Sequence, residues 1–294
     1  MDFDDFKAGF VSIIGRPNVG KSTLMNRLIG EKLSIVSPKP QTTRMNVKGF
    51  VNSKNSQIVF LDTPGFLEPR YELHEKMQSC IQNSIKKSEV IIFLTDSTDF
   101  PRDYDEAIID IIKKSKKRSL GVLNKADLCT KEQLITKKNQ MSQHFEMIFV
   151  ISAKNDSCFS ELLEKTIECL PKSPPLYDKD DLSDMPMRFF AQEIIREKIF
   201  LSYGEEIPYS STVVVEKWTE EDHRDVIQAN IWIERDSQKS ILIGKNGTKI
   251  GEIRRDAEID IAKLTGKKAV LNLWVKVKKD WRKKKGALHE FGYK

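Results

Sequence analysis

Gly15-Arg16-Pro17-Asn18-Val19-Gly20-Lys21-Ser22 has the GxxxxGK[ST] spacing of a phosphate-binding loop. The apolar run Phe10-Val11-Ser12-Ile13-Ile14 leads into it as a buried strand, and Thr23-Leu24-Met25-Asn26-Arg27-Leu28 leaves it with helical periodicity. The plainer reading is a glycine turn before a helix, but a strand on one side and a helix on the other is the context a phosphate cradle requires. The two glycines let backbone N–H groups curl inward on a polyanion, and the helix N-terminus adds a partial positive charge. Asn18, Val19, Gly20 and Thr23 belong to that cradle, Lys21 reaches the β/γ-phosphates, and the Ser22 hydroxyl is placed to ligate Mg²⁺.

Strands and helices alternate from Phe10 to Leu170, which predicts a mostly parallel sheet covered on both faces, with functional loops at the carboxyl ends of its strands. Further motifs fall on those loops. The strand Gln57 to Leu61 ends in Asp62-Thr63-Pro64-Gly65, in which the carboxylate holds Mg²⁺, usually through water, and the Gly65 amide meets a γ-phosphate oxygen. The polar loop Pro38 to Arg44 can carry a threonine onto the same ion, and Thr43 is chosen over Thr42. The strand around Leu120 to Leu123 ends in Asn124-Lys125-Ala126-Asp127. The two Asp127 oxygens can accept from guanine N1–H and N2–H₂ together, whereas adenine would leave a carboxylate unpaired, so the site should read guanine. Asn124 ties this loop to the phosphate loop and the base, and Lys125 can lay its alkyl stem over the purine. The strand Ile148 to Ile151 ends in Ser152-Ala153-Lys154, where the Ala153 N–H can donate to guanine O6.

These five motifs, in this order, resemble those of the translation-factor-related GTPases, with GTP and GDP as ligands and Mg²⁺ as cofactor. One position departs from the Ras-like pattern: Phe66 follows Gly65 where a glutamine would orient the attacking water. Either another group orients it or turnover is slow, and Phe66 reads equally as a core residue of a differently built switch. Lys21, Thr43 and Gly65 are the residues expected to carry catalysis.

The net charge of +6 is unevenly spread: +4 over residues 1–172, −8 over 173–236 and +10 over 237–294. The basic end is a candidate polyanion surface. Four scattered cysteines, Cys80, Cys129, Cys158 and Cys169, read as small core residues in a reducing cytosol, and the acidic start Met1-Asp2-Phe3-Asp4-Asp5-Phe6 is unlike a signal or transit peptide. No apolar stretch nears a membrane span. A soluble intracellular protein is expected, with no second phosphate loop to suggest a tandem GTPase.

The stretch 173–186, rich in proline and acid, reads as a linker between a first domain at 1–172 and a second at 187–294. The second domain has an amphipathic helix from Met187 to Tyr203, strands at Ser211 to Trp218 and Ile227 to Glu234, then Ile241-Leu242-Ile243-Gly244-Lys245-Asn246-Gly247, a further helix, and a strand from Ala269 to Val277. This order is that of a type II KH domain, in which a GxxG turn between helices clamps a few single-stranded nucleotides. Gly244 and Gly247 admit the backbone, with Lys245, Asn246 and Lys249 beside them. The run from Lys276 to Lys285 holds seven basic residues in ten. Of these Lys278, Lys279, Arg282 and Lys283 are candidate RNA contacts. Trp274 reads as core rather than stacking platform, and Trp281 as either.

Over nearly the full length, from about Lys7 to Lys285, the chain resembles the Era family of bacterial GTPases with a C-terminal KH domain. The resemblance rests on the nucleotide motifs above, on Gln41-Thr42-Thr43-Arg44, and on Leu273-Trp274-Val275-Lys276-Val277-Lys278 after the GxxG turn. It implies an α/β GTPase domain followed by a smaller α+β KH domain, and GTP hydrolysis coupled to binding the 3′ end of 16S rRNA during 30S assembly. It also implies a cytoplasmic monomer with some peripheral association with the cell membrane, and K⁺ held by Asn18 beside the phosphates. Lys245-Asn246 stands where members of the family often have a third glycine, and 288–294 lies outside the pattern.

Overall fold

The computed structural model describes residues 5–155, 159–204 and 206–293; Met1 to Asp4, Cys158 and Lys294 of the readings above lie outside them. The chain forms two units, Met1–Glu68 with Met77–Asp184, and Pro69–Lys76 with Met185–Lys294.

In the first unit, β1 (Lys7–Ile14), β2 (Val47–Asn52), β3 (Ser56–Asp62), β4 (Val90–Asp96), β5 (Arg118–Asn124) and β6 (Ile148–Val150) form one sheet in the order β2-β3-β1-β4-β5-β6. Only the β2–β3 pair is antiparallel. β3 and β4 are apolar runs buried along nearly their whole length, as strands covered on both faces must be. The helices α1 (Lys21–Ile29), α2 (Glu72–Lys87), α3 (Asp103–Ser115), α4 (Lys131–Met141) and α5 (Phe159–Cys169) lie in the connections. This is the expected mostly parallel α/β architecture. It places the carboxyl ends of β1, β3, β5 and β6 along one edge of the sheet.

Residues 173–184, expected as a linker, are instead packed on this unit. Tyr177 stacks on Phe50 with centroids 4.2 Å apart, and the Phe50 N–H donates to the Leu182 carbonyl at 2.9 Å. Gln57 accepts from the Leu176 and Tyr177 amides at 2.7 and 2.9 Å. β2 is an edge strand, and the acidic, proline-rich segment engages its Phe50 N–H and, through Ser183 Oγ, its Lys48 carbonyl.

The second unit contains α6 (Met187–Ser202), α7 (Glu206–Ser210), β7 (Thr212–Glu220), β8 (Arg224–Ile233), α8 (Asp236–Ile243), α9 (Thr248–Thr265), β9 (Lys268–Val277) and α10 (Lys285–Glu290). Its sheet runs β7-β8-β9, antiparallel then parallel, with a bulge between Val215 and Lys217. Ile195, Ile199, Ile227, Ala229, Ile231, Leu242, Ile253, Ala257 and Ile261 are wholly buried between the helices and one sheet face. The helix, strand, strand, helix, turn, helix, strand order is that expected for a KH domain.

Two readings are corrected here, and one left open is decided. Trp274, expected in the core, is 47% exposed, because β9 alternates and turns Leu271 and Val275 inward but Asn272, Trp274 and Lys276 outward. Trp281, left open between core and platform, is fully buried, and its Nε1–H donates to the Ser210 carbonyl at 2.9 Å. It is covered by the end of the chain: Phe291 and Tyr293 lie 5.4 and 5.9 Å from its ring, and Leu288 is fully buried. Residues 288–293 thus complete the second core. Cys80, Cys129 and Cys169 are half-buried rather than core residues.

Candidate nucleotide site and nucleic-acid interface

β1 delivers the phosphate loop, and the glycines are fixed by close approaches. A Cβ on Gly15 would lie 2.0 Å from the Leu94 carbonyl oxygen, and one on Gly20, at φ +100°, would lie 2.3 Å from Asn124 Nδ2. Arg16 braces the loop from behind, its Nε donating to the buried Asp105 at 2.8 Å. Asp105 stands 89 residues along the chain, so no local pattern could reveal this partner. A cleft of about 410 Å³ opens beyond the loop, lined by Asn18, Gly20, Lys21, Ser22, Thr23, Thr43, Gly65 and Lys125 among others. Ile35 to Pro38 also line it; their sequence carries no motif.

Lys21 Nζ donates to the carbonyls of Gly15 and Arg16 at 3.1 and 2.8 Å. Burial lowers its pKa to about 8, with Asp62 opposing the shift and Arg16 adding to it. The ammonium is therefore held in a dry site where phosphate oxygens would be strong partners.

The three residues expected at the metal converge. Ser22 Oγ donates to Asp62 Oδ2 at 2.8 Å and lies 3.0 Å from Thr43 Oγ1, and Thr43 Oγ1 donates to Asp62 Oδ2 at 3.3 Å. Burial raises the Asp62 pKa against the opposing bonds from Ser22 and Thr43 and the charge of Lys21. Asp62 Oδ1 is buried with no hydrogen-bond partner. A buried carboxylate oxygen left unpaired beside two hydroxyls fits an oxygen-loving cation. Three side-chain oxygens would leave the rest of such an ion's shell to phosphate oxygens and water. Bound there, Mg²⁺ would neutralise charge on the β- and γ-phosphates.

Gly65 is buried, and a Cβ there would lie 2.8 Å from Pro17 Cα, so only glycine brings this amide against the phosphate loop. Phe66 packs partly buried against the core of the unit, edge-on to Tyr104 at 6.3 Å, and its N–H donates to the Gly15 carbonyl at 3.1 Å. It braces the turn and offers no hydrogen bond to water.

At the base side, Asn124 Nδ2 donates to the Val19 carbonyl at 2.8 Å, and Asn124 Oδ1 accepts from the Ala153 N–H at 2.9 Å. The Ala153 amide, expected on guanine O6, is thus engaged by Asn124. Ser152 Oγ donates to Asp127 Oδ1 at 2.5 Å, orienting an otherwise exposed carboxylate. Lys125, at φ +61°, pairs with Asp96 at 2.6 Å. Lys154 is exposed, and its carbonyl accepts from Arg27 at 3.2 Å.

In the second unit, Gly244 at φ +72° and Gly247 at φ +76° turn the chain from α8 to α9. Asn246, at φ +50°, is left-handed too, a conformation asparagine tolerates. Lys245, Asn246 and Lys249 are exposed around the turn, and Lys249 Nζ stands 5.1 Å from the Tyr203 ring. Beside them runs a groove of about 330 Å³ lined by Gly247, Ile250, Gly251, Arg254 and Leu271 to Trp274. Arg254 was not singled out from sequence, although it falls one turn of helix from Ile250 on the groove side. The basic run is not uniform. Lys279 and Lys283 are exposed, but Lys278 pairs with Glu290 and covers Trp232 and Phe291, and Arg282 pairs with the buried Glu234. The last two stabilise the C-terminal closure and are poorly placed to hold RNA.

Residues 10–125 match the family of 50S ribosome-binding GTPases, and residues 206–282 match the KH domain family. The chain is 42% identical over 293 residues to the GTPase Era of Caldicellulosiruptor saccharolyticus, covering 98% of each chain. It is 41% identical over 292 residues to that of Staphylococcus haemolyticus, again covering 98% of each. The chain belongs to the Era family of GTPases. Two solved Era structures superpose with TM-scores of 0.95 at 37% identity, over 98% of this chain and 99% of theirs. One is an Aquifex aeolicus Era variant bound to GDP·AlF₄⁻, the other an Era in complex with MgGDPNP and nucleotides 1506–1542 of 16S ribosomal RNA. Like other Era proteins this one is a GTPase with a KH domain. No helix among the described residues is long and apolar enough to cross a membrane.

Proposed function

We propose that this Era protein binds the 3′ end of 16S rRNA through its KH groove and uses GTP binding and hydrolysis to time that grip during small-subunit assembly. The observation that carries the reading is its likeness, at 37% identity, to the Era held with MgGDPNP and 16S nucleotides 1506–1542. The nucleotide role falls to Lys21 on the phosphates, to Ser22, Thr43 and Asp62 around the metal, and to Asp127 on guanine. Gly65 supplies the amide that senses the γ-phosphate. In the KH unit the Gly244–Gly247 turn receives the RNA backbone, with charge from Lys245 and Lys249. Crosslinking the full-length protein to cellular RNA and sequencing the bound segments tests this: reads should pile up at the 16S 3′ end. Reads spread without preference, or concentrated elsewhere, overturn it.

Phe66 favours a second reading, in which the GTPase unit senses the GTP:GDP ratio and turnover is incidental, since its side chain is committed to packing. Single-turnover hydrolysis with and without RNA separates the two, because a timer accelerates when its target is bound. Asn18 is the residue assigned to K⁺: its Nδ2 donates to the Pro38 carbonyl at 2.9 Å, leaving the amide oxygen available to a cation. Hydrolysis should then run about tenfold or more faster in K⁺ than in Na⁺, a fraction of what an arginine finger contributes; equal rates remove the ion. The protein acts as a cytoplasmic monomer with peripheral membrane association. Sedimentation of the purified protein and fractionation of cells test those two points.

A further inference from the structure

The outward face of the KH sheet carries a set of groups that the groove reading does not use. The β8–β9 register places Gln228 beside Asn272, Asn230 beside Trp274, and Trp232 beside Lys276. Glu216 joins them from the bulge in β7, accepting from Asn230 Nδ2 at 2.5 Å. Glu216, Gln228, Asn230, Trp274 and Lys276 line a depression of about 380 Å³ on this face. Lys276 Nζ stands 5.4 Å from the Trp232 ring.

Trp274 alone of the four tryptophans is exposed, and it borders both this depression and the groove beside the GxxG turn. β9 is the edge strand, so nothing in the sheet lies between the groove and the outer face beyond it. The other exposed large apolar residues of this unit, Met187, Leu201, Ile241 and Ile259, all lie on helices. The outer face therefore lacks the contiguous apolar patch that a protein partner would need. What it offers is one bare indole ring, amides and a carboxylate that suit base edges, and an ammonium that suits phosphate.

We propose that single-stranded RNA leaving the KH groove crosses β9 and continues on the outer face of the sheet. There a base stacks on Trp274, its polar edge meets Glu216, which the buried Asn230 holds in place, or Gln228, and Lys276 holds the following phosphate. Glu216 favours a base presenting N–H groups and repels phosphate, so it sets which part of the nucleotide faces inward. This deepens the RNA-binding reading and rests on it.

The test measures binding of full-length protein to an unstructured tetranucleotide, which the groove alone accommodates, and to a decanucleotide that contains it, at one salt concentration. Trp274→Ala should weaken decanucleotide binding by about 10- to 100-fold, the usual range for one stacked base, and by at least about fivefold more than it weakens the tetranucleotide, whose groove the ring also borders. Trp274→Phe should recover most of the loss. Lys276→Gln should flatten the salt dependence of decanucleotide binding by about 0.7. Because Trp274 is exposed, an unchanged melting temperature certifies the fold. If Trp274→Ala binds both lengths like the parent, or weakens both equally, the outer-face path is wrong. Self-association of the parent that Trp274→Ala abolishes would also overturn it, in favour of a second copy of the chain. None of these outcomes touches the groove reading, which fails only if Gly244→Asp and Lys245→Glu retain tetranucleotide binding.

Discussion

Asn124 shows how little sequence distance matters to a binding site: one side-chain amide joins Val19, 105 residues away, to Ala153, 29 residues away. Its bonds tie the loop that carries Asp127 to the phosphate loop, and on the reading proposed above Asp127, steadied by Ser152, would discriminate between bases. Replacing Asp127 with Asn removes two charge-assisted bonds to guanine at about 1.5–3 kcal/mol each. GTP affinity should fall by about a hundredfold or more, and XTP should bind better, since xanthine presents a carbonyl where guanine has its amino group. A competition assay in which GTP still outcompetes XTP would remove Asp127 from the base site. Lys21 gives a second prediction. Its pKa of about 8 lies below the ordinary 10.5, so protein freed of nucleotide binds less than a full proton there as pH rises past 8. Phosphates restore the charge, so GTP binding should take up roughly 0.1 proton at pH 7 and well over half a proton at pH 9. Calorimetry in buffers of different ionisation enthalpy reads this number, and the same value at both pH values contradicts the buried-lysine account.

At the scale of elements, the first unit was legible because four of the five nucleotide motifs follow an apolar strand, and a parallel sheet requires that arrangement. The meeting of Ser22 and Asp62 could be anticipated for the same reason; Thr43, on the loop between α1 and β2, rested on its motif alone, and the Arg16–Asp105 brace could not be anticipated. In the second unit the two tryptophans were misread or left open for different reasons. For Trp274 a signal existed in the alternation of Asn272, Trp274 and Lys276 with Leu271, Leu273 and Val275, but the weight of an indole outvoted the period. Trp281 carries no local signal at all: it sits among charged residues in a short 3₁₀ turn, and its burial depends on Ser210, Phe291 and Tyr293 from elsewhere. α7 and α10, of five and six residues, are too short to show a helical period. The closure they contribute to yields a stability prediction. Trp281→Ala removes a fully buried ring and its hydrogen bond, and should cost about 3–5 kcal/mol in the KH unit. Chemical denaturation should show one transition moved to lower denaturant, while the GTP affinity of the other unit stays unchanged. A shift below about 1 kcal/mol would mean that the C-terminal residues do not cover that ring in solution.

Across the whole molecule, charge does not follow the division into units: the acidic stretch at 173–236 runs from the end of the first into the second, which also holds the basic end at 237–294. On the reading proposed above, the phosphates of GTP and of RNA would be met by separate devices, a buried lysine in one unit and exposed lysines in the other. The placement of residues 173–184 bears on how such a chain can be divided. A fragment ending at 172, where composition alone would cut, leaves β2 with bare N–H and C=O groups and an uncovered Phe50 ring. That edge is a template for pairing with the same edge of a neighbour, so the shorter fragment should be prone to self-association and precipitation. One ending at 184 should stay monodisperse at the same concentration, as light scattering of the two would reveal. The acidic segment that looks like a tether is then, for the GTPase half, a built-in guard against amyloid-like strand addition.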